Sequence, residues 1–278
     1  MMLYSKTFIK SHAKEILIII LMITASLPTI SWMTDRWFAA NSYYSHGILV
    51  PFVTFFLIYK KRYTLKELPI ESSPWGISLF IYGIILYWLG AILHVYFSSG
   101  FSMLLITAGI ILHFYGEKIF KVLLFPLLFL IFMIPLPLLV VASICFKLKI
   151  IAAQLATYIL NIIGLQAVQY SSIIEMRHCD VLVEDSCGGL RSLISLTALA
   201  SIFAYQLKAN LPRKILLFLS AFPIATFTNA CRIVFLASIS EIFGTNYIQG
   251  TLHNISGYMV FAFAFFILYA IKKLIEKK

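Results

Sequence analysis

Cys187 is followed at once by Gly188 and Gly189, and an apolar run begins at Leu190. Two glycines allow a tight turn with exposed backbone, and a helix starting there points its unpaired N–H groups and positive end back at the sulfur. A thiol in that position has its thiolate favoured, and the thiolate is the nucleophile. The same N–H groups suit an oxyanion formed when a carbonyl is attacked. An inert, buried cysteine is the alternative for the same residues. Asn229 and Arg232, in Asn229-Ala230-Cys231-Arg232, are three apart and share a helix face. His253 heads His253-Asn254-Ile255-Ser256-Gly257, with Gly257 one turn on leaving room beside the imidazole. Histidine is the common base for an activated cysteine. His46, in Ser45-His46-Gly47, opens another apolar run and is a further candidate to line the cavity, while Tyr43 and Tyr44 fit an aromatic belt.

These residues must be positioned by a scaffold built for lipid. Of the 278 residues, 61% are hydrophobic and 12% charged, with mean hydropathy +0.94. Soluble domains are about 25% charged, so soluble enzymes, disordered chains and collagen-like chains are excluded. The fold class expected is an all-α polytopic membrane protein. About eight spans can be counted: 15–33, 43–59, 75–96, 101–115, 119–135, 189–207, 214–238 and 254–271. No internal repeat or appended soluble segment interrupts 1–278, which reads as a single transmembrane domain whose first helix is uncleaved.

The net charge of +11 reads as topology rather than as a nucleic-acid face. With the N-terminus cytoplasmic, sixteen of the 22 Lys and Arg fall in cytoplasmic segments, and both termini face the cytoplasm. Segment 138–163 is apolar but holds Lys147, Lys149 and Gln154. It is expected to lie in the outer interface or to form a re-entrant hairpin. After it, alternation over 166–176 and 180–184 predicts a small extracytoplasmic β-hairpin turning at Arg177-His178-Cys179. Cys187, Arg232 and His253 then share one membrane level on the outside. Arg191, four residues after Cys187, is a candidate to bind an acidic substrate residue. Glu184 is placed to pair with Arg191 or Arg232. His94, His113, Arg36 and Glu241 read as interface residues. No metal-ligand spacing, phosphate loop or nucleotide fingerprint is present, so neither metal nor cofactor is expected.

Glu184-Asp185-Ser186-Cys187-Gly188-Gly189-Leu190-Arg191-Ser192-Leu193, then Asn229-Ala230-Cys231-Arg232, then His253-Asn254-Ile255-Ser256-Gly257, in this order on about eight spans, resemble the exosortase/archaeosortase family. Ser45-His46-Gly47 followed by Pro51 resembles that family's second-span motif, and the resemblance covers most of the chain. One departure is that the family usually has Ser where Gly188 stands. The resemblance implies a catalytic triad of Cys187, Arg232 and His253, with the histidine pointing to the bacterial exosortase branch. It implies a membrane-embedded cysteine transpeptidase that cleaves a C-terminal sorting signal of exported proteins at the outer face of the cytoplasmic (inner) membrane. An acyl-enzyme would then pass to an acceptor of unknown identity, lipid or polysaccharide among them. Partners so implied are exported proteins bearing a short motif, a hydrophobic span and a basic tail. Supporting or substrate-binding roles fall to Arg191, Asn229, Glu184, Gly188, Gly189 and His46. The competing reading is a non-enzymatic transporter or polysaccharide-export component, which predicts polar residues through several spans. The unusual groups gather instead at one mouth. A disulfide between Cys179 and Cys187 is a third possibility on an oxidising side.

Overall fold

The protein was analysed as a computed structural model that describes residues 13–40, 42–184, 188–244 and 251–277, without the side chains of 13–20, 23 and 251–254. Helices dominate, and they divide into two compact units, 1–40 with 45–135 and 41–44 with 136–278.

The first unit contains α1 (Ala13–Phe38), a short 3₁₀ turn (Ser45–Ile48), α2 (Leu49–Lys60), α3 (Arg62–Glu67), α4 (Trp75–Ile92) and α5 (Tyr96–Phe129). Gly76, Gly83 and Gly90 recur every seven residues on α4 and all three are buried. A Cβ added at Gly83 would lie 2.8 Å from the Ile106 side chain, and one at Gly90 2.8 Å from Ser99 Oγ. Gly76 meets the His113 backbone in the same way, and Gly109 meets Phe80. The pairings descend on one helix as they climb on the other, so α4 and the first half of α5 are antiparallel and touch nearly backbone to backbone. Small residues permit this approach, which is how helices pack where lipid removes the hydrophobic drive. Gly83→Val should therefore separate the pair and cost about 1–3 kcal/mol by overpacking. A fall in the detergent-solubilised melting temperature reads this, with an unchanged midpoint as the contrary result.

Residues 101–115 and 119–135 are expected as two spans, and the structure joins most of both in one element broken at Gly116 (φ 82°, ψ −179°). Left-handed backbone there and the Glu71 carbonyl against it leave no place for a side chain. Lys118 and Glu71 pair at 2.9 Å beside the break.

The second unit holds α6 (Leu138–Ile162), β1 (Val168–Tyr170), β2 (Ile173–Glu175), β3 (Asp180–Leu182), α7 (Leu190–Gln206), α8 (Leu211–Phe243) and α9 (Thr251–Glu276). Segment 138–163 is not a re-entrant hairpin. It is one unbroken helix, α6, packed along α8 through Ala152, Ala153, Ala156 and Leu160. Lys147 points outward and does not interrupt the apolar face. The three strands form an antiparallel sheet in the order β1-β2-β3. The expected hairpin turn at 177–179 is present, but the first expected strand is folded on itself at Ser171-Ser172, where Ser171 has φ 57°. Ile174 and Val183 from the sheet enter the core that α6 shares with Ile233 and Ala237 of α8.

Both α6 and α8 end at the sheet, and α7 begins eight residues after its last strand. Helix α8, with 33 residues, is about 50 Å long at 1.5 Å per residue, against a hydrocarbon layer of about 30 Å. The unpaired edges of a small open sheet cannot face lipid, so the sheet end is where part of that surplus length can extend. Four described helices are long and apolar enough to cross a membrane: Trp75–Ile92, Leu138–Ile162, Leu211–Phe243 and Ile255–Glu276.

Candidate active site

Helix α7 starts from Gly189 in left-handed conformation (φ 80°, ψ 1°), with no side-chain cap on its first turn. The first intrahelical bond runs from Leu193 N–H to the Gly189 carbonyl at 2.9 Å. The amides of Leu190, Arg191 and Ser192 precede it and form the donor end of the helix. Gly189 lies against α8, where an added Cβ would stand 2.9 Å from Asn229 Cγ. Asn229 itself is 3% exposed. Gly188, Gly189 and Asn229 line a cavity of about 10 Å³ with Leu148, Ala152, Leu193, Ala225 and Thr226. That is room for one water or one oxygen-sized group.

One turn further along α8, Arg232 Nε donates to Ser256 Oγ of α9 at 3.0 Å. Its terminal nitrogen lies 3.7 Å from where a Cβ on Gly257 would be. Glycine there leaves the flat guanidinium room against the helix. His253 is in the first turn of α9, three and four residues before Ser256 and Gly257. Its side chain and the whole of Cys187 lie outside the described residues. Cys187 is bonded directly to Gly188. Thus α8 collects the neighbours of both: Asn229 meets the turn after Cys187, and Arg232 meets the turn after His253.

The chain matches the family model described as transmembrane exosortase over residues 32–270. It belongs to the transmembrane exosortase family. No curated protein and no solved structure matches it. The exosortase match spans both units, and with the apolar helices it makes the chain a multi-pass membrane protein.

Other expected residues fall differently. Arg191 is exposed on the first turn of α7, and Glu184 is exposed just after the buried Val183. His46 sits in the 3₁₀ turn of the first unit, whereas the other site residues belong to the second; Gly47 beside it abuts the Trp37 indole. The disulfide alternative is corrected, because Cys179 is a free thiol. It donates to Glu241 Oε2 at 3.5 Å. Burial first, then the Glu241 carboxylate, pushes this thiol up from its ordinary value despite an opposing contact from Ser240. Glu241 is missed by sequence reasoning: an acid at the end of an apolar helix looks like an interface residue, and its partner His178 is 63 positions away. Among the described residues no three His, Cys, Asp or Glu side chains are grouped to hold a metal ion.

Gly189→Ala would suffer twice. The left-handed backbone costs about 1–2 kcal/mol, and the new methyl would push Asn229 aside. Gly164 has a similar φ of 88° with nothing within 4 Å. Gly164→Ala is therefore expected to lower the melting temperature alone. Gly189→Ala should lower it further and cut turnover more than about tenfold, as thermal unfolding and substrate processing will show. A second expectation concerns Cys179. With its thiol held protonated at neutral pH, alkylation is slow there and accelerates only at a pH above that of an ordinary cysteine. Peptide mapping after iodoacetamide treatment across pH checks it, and rapid labelling at pH 7 would contradict it.

Proposed function

We propose that the protein is a membrane-embedded cysteine transpeptidase, with Cys187 as nucleophile, His253 as proton carrier and Arg232 as the fixed positive charge. The observation that supports this most is the uncapped start of α7, seated on Asn229 beside a cavity for one oxygen and bonded to the residue after Cys187.

In the first half-reaction the Cys187 thiolate attacks the carbonyl carbon of the scissile peptide bond. The carbonyl electrons move to oxygen, and the first amides of α7 receive the charge. Asn229 borders the same cavity. Collapse breaks the C–N bond, leaving a thioester, and His253 delivers a proton to the departing amine. In the second half-reaction His253 takes a proton from the acceptor nucleophile, which attacks the thioester and releases the thiolate. Arg232 is held by Ser256 through Nε. The guanidinium charge stabilises the thiolate or oxyanion.

The substrates are exported proteins ending in a short signal, one hydrophobic span and a basic tail. Arg191, exposed beside the cavity, offers a contact for an acidic residue of that signal. The sheet end of the second unit faces the exterior of the cytoplasmic membrane, a direction supported by the basic residues that mark the cytoplasmic segments. To test the function, a candidate substrate is blotted in the native host with and without the gene. Loss of the C-terminal span only when the gene is present is the expected result; identical processing in its absence would refute the proposal.

A further inference from the structure

Glu241 lies near the end of α8, and its side chain is only 8% exposed. The β2–β3 turn converges on this one carboxylate. His178 N–H donates to both oxygens at 3.2 Å, His178 Nδ1 lies 2.7 Å from Oε1, and the Cys179 thiol donates to Oε2 at 3.5 Å. Sheltered carboxylates persist only where donors satisfy them. None of these groups borders the cavity beside Gly189 or enters the proposed chemistry.

The covalent path shows what the contact accomplishes. From Cys179 the chain enters β3, which pairs with β2. Val183 N–H donates to the Ser172 carbonyl at 2.8 Å, and the Val183 side chain is 1% exposed in the core with Ile233 and Ala237. Only residues 184–187 separate Val183 from the buried Gly188. The residues that flank the segment bearing Cys187 are therefore both tied to α8, those before it through the sheet and Glu241 and those after it through Gly189 against Asn229. Arg232 lies on α8 between those two ties.

We infer that Glu241 is a positioning residue: by gripping His178 and Cys179 it fixes the sheet to α8, and so sets Cys187 against the start of α7 and Arg232. This rests on the reading of Cys187 as the nucleophile. Displacing a reacting group by about 1 Å costs orders of magnitude in rate, so the grip acts on reactivity without touching substrate.

The test uses the full-length protein in detergent, iodoacetamide at neutral pH and peptide mapping that follows each cysteine separately. Glu241→Ala should slow alkylation of Cys187 about tenfold and speed that of Cys179 several-fold. Glu241→Gln keeps an oxygen for the His178 N–H and should restore much of the Cys187 rate. Combining Glu241→Ala with His178→Ala should slow Cys187 no further than Glu241→Ala alone, because both remove one grip. Cys145, 3% exposed, reports the fold. If it becomes reactive in Glu241→Ala, the Gln and His178→Ala variants decide the matter, with slower Cys187 labelling in His178→Ala expected. A fast Cys187 that stays fast without the grip overturns this inference alone. A Cys187 no faster than Cys231 in the unaltered protein overturns the nucleophile reading, and the inference falls with it.

Discussion

Replacing Cys187 by alanine should abolish removal of the C-terminal signal, lowering turnover by at least about 10³-fold while leaving the protein folded. Covalent catalysis divides a difficult acyl transfer into two easier steps, and without the sulfur neither step exists. The binding surface and the α7 amides remain, so substrate still docks and only chemistry is lost. Cys187→Ser is the sharper variant. A hydroxyl keeps the shape, but at neutral pH it is far less ionised than a thiol, and the helix start cannot compensate for that gap. Serine is expected to retain less than about 1% of turnover. Accumulation of uncleaved substrate, followed by blotting against unchanged melting temperature, measures both. Near-normal processing by either variant would remove Cys187 from the mechanism.

The second large effect is expected at Arg232. Its Nε is committed to Ser256 and its terminal nitrogens lie along Gly257. Such a geometry needs a planar group with donors on more than one edge. Lysine presents a single point charge on a flexible stem, so it can neither hold Ser256 and face the reacting centre together nor stack flat against glycine. Arg232→Lys should lower kcat about 10²–10³-fold with little change in KM, as loss of an oxyanion donor does. Ser256 is 5% exposed, and losing its charged partner should cost about 1–3 kcal/mol of stability. Ser256→Ala removes the acceptor of the Arg232 Nε–H instead. It is expected to cost a similar amount of stability, about 1–3 kcal/mol, and to be several-fold slower because the guanidinium is no longer oriented. Arg232→Lys with normal kcat would reduce the residue to a point charge.

Much of this arrangement was legible beforehand because membranes make polar groups conspicuous. An arginine three residues after an asparagine in an apolar helix, or a cysteine before paired glycines, stands out where nearly every neighbour is aliphatic. The helix period alone then places Asn229 and Arg232 on one face of α8, whereas the contact of Arg232 with Ser256 joins two helices and is seen only in the fold. What escaped was decided by contacts distant in sequence. The packing of α6 is one example: Lys147 and Lys149 break its apolar run in the sequence, yet its inner face of Ala152, Ala153 and Ala156 is continuous and is covered by α8. The fold at Ser171-Ser172 lacks the Asn-Gly signal of tight hairpins. The seven-residue glycine repeat of α4 has meaning only once α5 is seen against it. Glu241 is the clearest instance, since nothing near it in the chain announces a histidine partner.

The central claim is that peptide transfer passes through Cys187, and trapping the intermediate tests it most directly. Purified full-length protein is mixed with a peptide carrying a processed signal, quenched in acid and mapped by mass spectrometry. The account predicts an acyl group on the Cys187 peptide, absent from Cys187→Ala and released by hydroxylamine as a thioester is. Turnover with no adduct on that peptide, or with an adduct on another residue, would contradict it.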